Sequence, residues 1–164
     1  RGALDAADRL MSSLVDENKS DAWLVEFAGD IDMSAGRPNL AARHYRDALI
    51  IRPDSPQISL NLGRALIATN DKAKLDEAIE ALLAAEKGEP EWSFVKRQLA
   101  IAYGRNGQLA EADVTLAEEA LLANDKRRAA QMAKRALSNK SAAGHIKAKA
   151  RDILFHLNIP TTTD

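Results

Sequence analysis

The side chains best suited to chemistry in this 164-residue chain are three histidines and 24 carboxylates, with no cysteine among them. A zinc peptidase centre sets two histidines one helical turn apart with a glutamate beside the first, because positions i and i+4 converge on one metal. None of the three histidines has that neighbour. His145 and His156 are eleven residues apart, which on one continuous helix is about 16 Å, too far to share an ion. The lack of cysteine excludes disulfides, thiolate metal sites and thiol catalysis. No nucleophile elbow, phosphate-binding loop or dinucleotide fingerprint occurs, and no spacing of Asp and Glu isolates a catalytic pair. The sequence therefore predicts no active site, no metal and no cofactor in this chain.

The charges are more informative as a distribution. A net charge of −1 hides a split: residues 126–151 hold nine Lys or Arg and no acid, whereas residues 1–125 hold 14 basic against 22 acidic. Such a basic end suits an acidic protein surface, anionic lipid or nucleic acid, or is the solvated outer face of two helices. Nucleic acid is not expected, because no aromatic or glycine-rich element is interleaved with the charges to stack on bases. No apolar run approaches the roughly 20 residues that span a bilayer.

Elements able to hold these groups are read from composition and period. The chain is 46% hydrophobic and 29% charged with only seven aromatics, which suits thin, close-packed helix layers rich in Ala and Leu rather than a thick core or a sheet sandwich. Periodicity of 3.6 predicts nine helices, at 3–16, 22–35, 39–52, 56–69, 75–86, 93–106, 109–123, 126–138 and 142–157. Turn chemistry separates them: Gly36 before Pro38, the run from Arg52 through Pro53 to Pro56, Asn70-Asp71, Glu89-Pro90, Asn106-Gly107 as a helix C-cap, and Ser141 as an N-cap. The tail from Pro160 is expected to be flexible.

Residues 22–55 fit a 34-residue helix-turn-helix pattern, with Gly29 at a close approach of two helices, Gly36 at the turn, Ala41 and Ala48 at small contacts, Tyr45 filling the large apolar position and Pro53 at the stop. Residues 56–92 repeat it with Gly63, Ala78, Leu82, Ala85 and Pro90, given three extra residues near Asn70-Asp71-Lys72. Residues 93–123 repeat it with Leu99-Ala100, Tyr103, Gly107, Ala112 and Leu116 but no closing proline. Helix 109–123 is read as second helix of one repeat and first of the next, followed by Ala129, Ala133 and Ala136 at small positions. Ala7, Met11 and Leu14 fit only half a repeat. The pattern resembles the tetratricopeptide repeat, which implies an all-α, right-handed α-solenoid of about nine antiparallel helices. The expected organisation is one domain over 1–157, with a half repeat at 1–21, repeats at 22–55, 56–92 and 93–123, degenerate basic helices at 124–157 and a flexible tail at 158–164.

In that family the first helix of each pair lines a concave groove, and its positions fall here on Trp23, Glu26, Asp30 and Met33, on Gln57, Leu60, Asn61, Arg64 and Ile67, and on Phe94, Arg97, Gln98, Ile101 and Arg105. Members that clamp a peptide carboxyl terminus use Lys and Asn where this chain has Glu26 and Asp30, so that ligand is not expected. Arg64, Arg97 and Arg105 are expected to grip an acidic segment or to pair with Glu26 and Asp30. The runs Arg97–Arg105 and Ala117–Leu122, and Pro53–Pro56 ahead of Asn61–Leu66, further resemble the C-terminal repeat region of bacterial HtpX-like zinc metallopeptidases. That resemblance implies a non-catalytic module of a cell-envelope or periplasmic enzyme, with zinc only in an upstream HExxH domain, and a protein partner that includes the protease domain itself. The alternative is a stand-alone scaffold or assembly factor.

Overall fold

The computed structural model describes residues 20–160, together with Ala6, Leu10 and Leu14. Of the expected first helix only Ala6, Leu10 and Leu14 are described, all helical; Ala7, Met11 and the tail after Pro160 lie outside the described residues. Among the described residues there are eight α-helices, one 3-10 turn and no strand. The chain divides into two compact units, Arg1–Pro90 and Glu91–Asp164.

Unit 1 contains α1 (Ala22–Ser34), α2 (Pro38–Ile51), α3 (Pro56–Ala68) and α4 (Leu75–Gly88), packed as consecutive antiparallel neighbours. Small residues set the spacing. A Cβ on Gly29 would stand 2.6 Å from the Tyr45 ring, and one on Gly63 would stand 2.5 Å from Leu82 Cγ, so α1/α2 and α3/α4 meet through the same glycine-against-large-residue contact. Ala41, Ala48, Ala78 and Ala85 are buried beside these contacts. Arg46 of α2 grips Glu77 of α4 with two hydrogen bonds of 2.5 and 2.8 Å, tying alternate helices together. The Glu77 bond raises the Arg46 pKa, and the Arg46 bond holds the Glu77 carboxyl below its ordinary value.

Unit 2 contains α5 (Ser93–Arg105), α6 (Leu109–Leu122), α7 (Lys126–Ser138) and α8 (Gly144–His156). Its core is Ala110, Val114, Ala117, Ala133 and Ala136 with Ile146, Ala150, Ile153 and Leu154, so α8 supplies most of the bulk that the alanines lack.

Helix ends carry the repeat. Gly36, Asn70, Gly107, Asn124 and Asn158 have positive φ, at 71°, 56°, 82°, 56° and 56°, and follow α1, α3, α5, α6 and α8. Four of these ends carry the 6→1 bond of a left-handed C-terminal turn: Arg37 N–H to Asp32 O, Gln108 to Tyr103, Asp125 to Ala120 and Ile159 to Leu154, at 2.8 to 2.9 Å. At Asn70 the next N–H goes to the Thr69 hydroxyl at 3.3 Å instead, and a 3-10 turn over Lys72–Lys74, capped by Asp71, takes up the additional residues. By contrast α2, α4 and α7 end on Arg52, Glu89 and Asn139 with negative φ and extended ψ, the first two immediately ahead of Pro53 and Pro90. Thus α6 packs on α5 as a second helix yet ends as a first helix does, and the alternation changes phase there. Two local expectations need correction. Ser141 does not cap a helix: Asn139 Oδ1 accepts from its N–H and hydroxyl, and α8 begins later, at Gly144, with Ala143 in the uncapped N-cap place. Helix α4 continues to Gly88, because Glu89 before Pro90 is the first residue forced out of helical geometry.

Candidate functional site

Three segments of unit 1 converge beside α1. Asp21 caps that helix by accepting from Trp23 N–H at 2.9 Å, which places Trp23 in the first turn and Phe27 one turn on, on the same face. Both rings face solvent, 72% and 51% exposed. The α3 side is fixed by Ser55, whose hydroxyl accepts from Ile58 N–H, and by Pro56 at the first helical position. Trp23, Glu26, Phe27 and Asp30 of α1, with Arg52, Ser55 and Gln57, line a cleft of about 330 Å³. A neighbouring hollow of about 450 Å³, lined by Ser20, Asp21, Ala22, Ile51 and Arg52, shares Trp23 with it.

The polar groups of the cleft are organised. Tyr45 donates to Asp30 at 2.7 Å, and Asn61 Nδ2 donates to Glu26 at 3.1 Å. Asn61 Oδ1 in turn accepts from Gln57 at 3.4 Å and Arg64 at 3.3 Å. Burial pushes the Glu26 carboxyl above its ordinary value, helped by the Asp30 charge and opposed by the Asn61 bond and Arg52. Burial and the Asp30 bond push the Tyr45 phenol up as well, so it remains a donor.

Of the groove residues expected from sequence, Trp23, Glu26, Asp30 and Gln57 line the cleft, and Asn61 and Arg64 join it through hydrogen bonds. Met33 is half-buried farther along α1 and is not part of the lining; Leu60 and Ile67 are buried. Phe27, Arg52 and Ser55 are additions that the sequence reading lacks. Phe27 is legible as an aromatic at i+4 from Trp23. Arg52 and Ser55 sit in the turn between helices, outside the first-helix positions that guide the expectation.

In unit 2, Phe94, Arg97, Gln98, Ile101 and Arg105 recur at helical spacing along one face of α5, with Arg97, Ile101 and Arg105 exposed. Within unit 2, Arg97 is held by an acid of the next helix. Its guanidinium donates to Glu119 of α6 at 2.8 Å, and Arg128 of α7 takes the other carboxylate oxygen at 2.8 Å. Glu119 is only 1% exposed, so the pair of arginines compensates a buried charge at the junction of three helices.

Among the described residues no group of three His, Asp or Glu is placed to hold a metal ion, and no helix is long and apolar enough to cross a membrane. His44 lies 3.3 Å from the Asp32 carboxylate, while His145 and His156 are exposed on α8.

These stacked helix hairpins define an all-α, tetratricopeptide-type solenoid fold, and residues 32–99, from the end of α1 to the middle of α5, match the tetratricopeptide repeat family. A crystal structure of MamA superposes with a TM-score of 0.71 at 19% identity, covering 96% of this chain and 88% of that one. A MamA chain from Desulfovibrio magneticus RS-1 gives 0.69 at 19% identity over 95% and 88%. A thermophilic tetratricopeptide protein of Thermus thermophilus gives 0.52 at 19% identity over 94% and 92%. At such identities the likeness establishes the fold. No curated protein matches the chain.

Proposed function

We propose that this chain is a protein-interaction scaffold whose unit 1 cleft receives a segment of another polypeptide. The exposed Trp23–Phe27 pair carries the reading. Two large aromatic rings held in water on one helix face, over a cleft with fixed polar groups, form the kind of anchor site that dominates protein recognition. Glu26 and Asp30 oppose a ligand carboxylate and favour a segment that places an apolar side chain against the rings and amide or cationic donors toward the acids. The test is affinity capture on the wild type and on a Trp23→Ala/Phe27→Ala variant, with circular dichroism confirming that both are folded. A polypeptide retained by the wild type and lost at least about tenfold by the variant supports the cleft; equal recovery removes it. Arg97 is a poor probe, because its loss half-unpairs Glu119.

The HtpX-like resemblance extends this proposal to a non-catalytic module of an envelope metallopeptidase, located in the envelope or periplasm, with the protease domain as one partner. Its support is the sequence run from Arg97 to Arg105 and its companions. Packing accounts for much of that run, since Leu99, Ala100 and Ala102 are buried and Arg97 is paired. A stand-alone scaffold uses the same residues in the same way. The parent gene distinguishes the two: an HExxH motif upstream supports the module, and its absence leaves the scaffold alone.

A further inference from the structure

The basic residues of unit 2 are sorted by direction. Arg128 and Arg135 of α7 and Lys149 of α8 all turn toward α6, where Glu119, Asp113 and Glu118 take them. Arg127 and Lys134 are each one residue from a paired arginine, about 100° around α7. Lys147 and Arg151 each lie two residues from Lys149, about 160° around α8. These four therefore face away from α6, and among the described residues they form no ion pair. Phe155 follows Lys147 and Arg151 at i+8 and i+4 on the same side of α8 and is 84% exposed.

An exposed helix face ordinarily intersperses acids one turn from its bases, which neutralises the field and supports the helix. Here residues 126–151 contain none, and Asp152 is the one carboxylate in α7 and α8. The paired cations complete the fold of unit 2; of the other four, Arg127, Lys134 and Arg151 are exposed and Lys147 is half-buried. We propose that the outward face of α7 and α8 is a second docking surface, taking an acidic polypeptide segment with an apolar side chain seated on Phe155. The charge calls for an anionic partner, and the geometry selects among anions. Membrane insertion needs a continuous apolar face, and this one has a single large apolar side chain flanked by Arg151, Asp152 and His156. Single-stranded nucleic acid needs a series of stacking rings along a groove. A short acidic segment needs only spaced cations around one apolar anchor, which is what is present.

The experiment uses the full chain and fluorescence anisotropy with a labelled peptide of about 16 residues, rich in Glu and Asp with two leucines. Lys134→Glu/Arg151→Glu is expected to weaken binding about tenfold or more, and Phe155→Ser about fivefold. Lys72→Glu/Lys87→Glu, which makes the same change in net charge at exposed sites in unit 1, is expected to change it less than about twofold. Trp23→Ala leaves this binding intact, which separates the surface from the cleft of unit 1. Equal losses in the two charge-reversal variants would show a non-specific net-charge effect and overturn the proposal. So would an unaffected Phe155→Ser variant, or binding of phosphatidylglycerol vesicles or single-stranded DNA in preference to the peptide at physiological salt.

Discussion

Unit 1 and unit 2 use the same helix hairpin and hold it together differently. In unit 1 helix pairs close by shape: Gly29 admits the Tyr45 ring and Gly63 admits Leu82. In unit 2 the corresponding position of α5 is held by buried Ala100, Gly104 one turn on has nothing within 4 Å of its Cβ position among the described residues, and the helices are clasped by acids of α6 bound to arginines of α5 and α7. Both units pair a buried acid with arginine, Asp32 with Arg37 in unit 1 and Glu119 in unit 2, but the cleft acid is held otherwise. Glu119 is buried against two arginines, whereas Glu26 is half-buried against a neutral amide and keeps a raised pKa. A repeat fold fixes where helices meet without fixing which force joins them: unit 1 combines two shape contacts with the Arg46–Glu77 ion pair, and unit 2 relies on buried acids of α6 held by arginines.

The largest effect that would break this contrast lies at Glu119. Removing Arg97 or Arg128 alone should cost about 1 kcal/mol, since both are partly exposed and the second arginine still compensates the acid. Removing both should cost about 3 kcal/mol, more than the sum, because an uncompensated carboxylate is then left in the core. Urea unfolding of the four members of the cycle measures this, and additive losses would mean that the clasp is not a unit. Next comes Gly63→Ala. Overpacking against Leu82 and the Ala78 carbonyl outweighs the helix propensity alanine gains, for a net loss of about 1–2 kcal/mol. The same exchange at Gly104 should instead stabilise by about 0.5 kcal/mol, since its Cβ meets open space in a helical backbone. A like sign at the two glycines would show that the Leu82 contact does not set the outcome at Gly63.

The helices are legible because alanines and leucines at 3.6 spacing leave few alternatives, and the turns because Pro53 and Pro90 restrict φ while Gly36 and Gly107 permit the positive φ of a left-handed turn. Asn124 and Asn158 take the left-handed turn that glycine takes elsewhere. The shift of phase at α6 shows in the sequence only as a missing proline. The cleft is half legible. Trp23, Glu26 and Asp30 follow from helical spacing, but Arg52 enters from a turn whose direction depends on how α2 and α3 pack. Arg97 misleads because its acid lies 22 residues on, and no local pattern distinguishes a charge that meets solvent from one that reaches a buried carboxylate across a helix pair.

The smallest effect tests the cleft directly. Glu26→Gln keeps a carbonyl oxygen to accept from Asn61 and removes a charge that burial and Asp30 disfavour. Because the folded-state pKa is raised, the folded protein holds the Glu26 proton more tightly than the unfolded chain, so the ionised group costs stability at neutral pH and ceases to cost it in acid. The variant should be more stable than the wild type at pH 7 by about 0.3 kcal/mol after solvent screening. The gap should close as pH falls through the raised pKa toward the ordinary value of 4.5. Glu77 provides the opposite sign in the same unit, since Arg46 depresses its pKa and its contribution is lost as pH falls below 4.5 through that lower value. Thermal melts of the wild type, Glu26→Gln and Glu77→Gln across that range separate the two. If the wild type and Glu26→Gln differed equally at pH 7 and pH 4, the charge of Glu26 would not be the cause, and the cleft would lose its distinction from the clasped acids of unit 2.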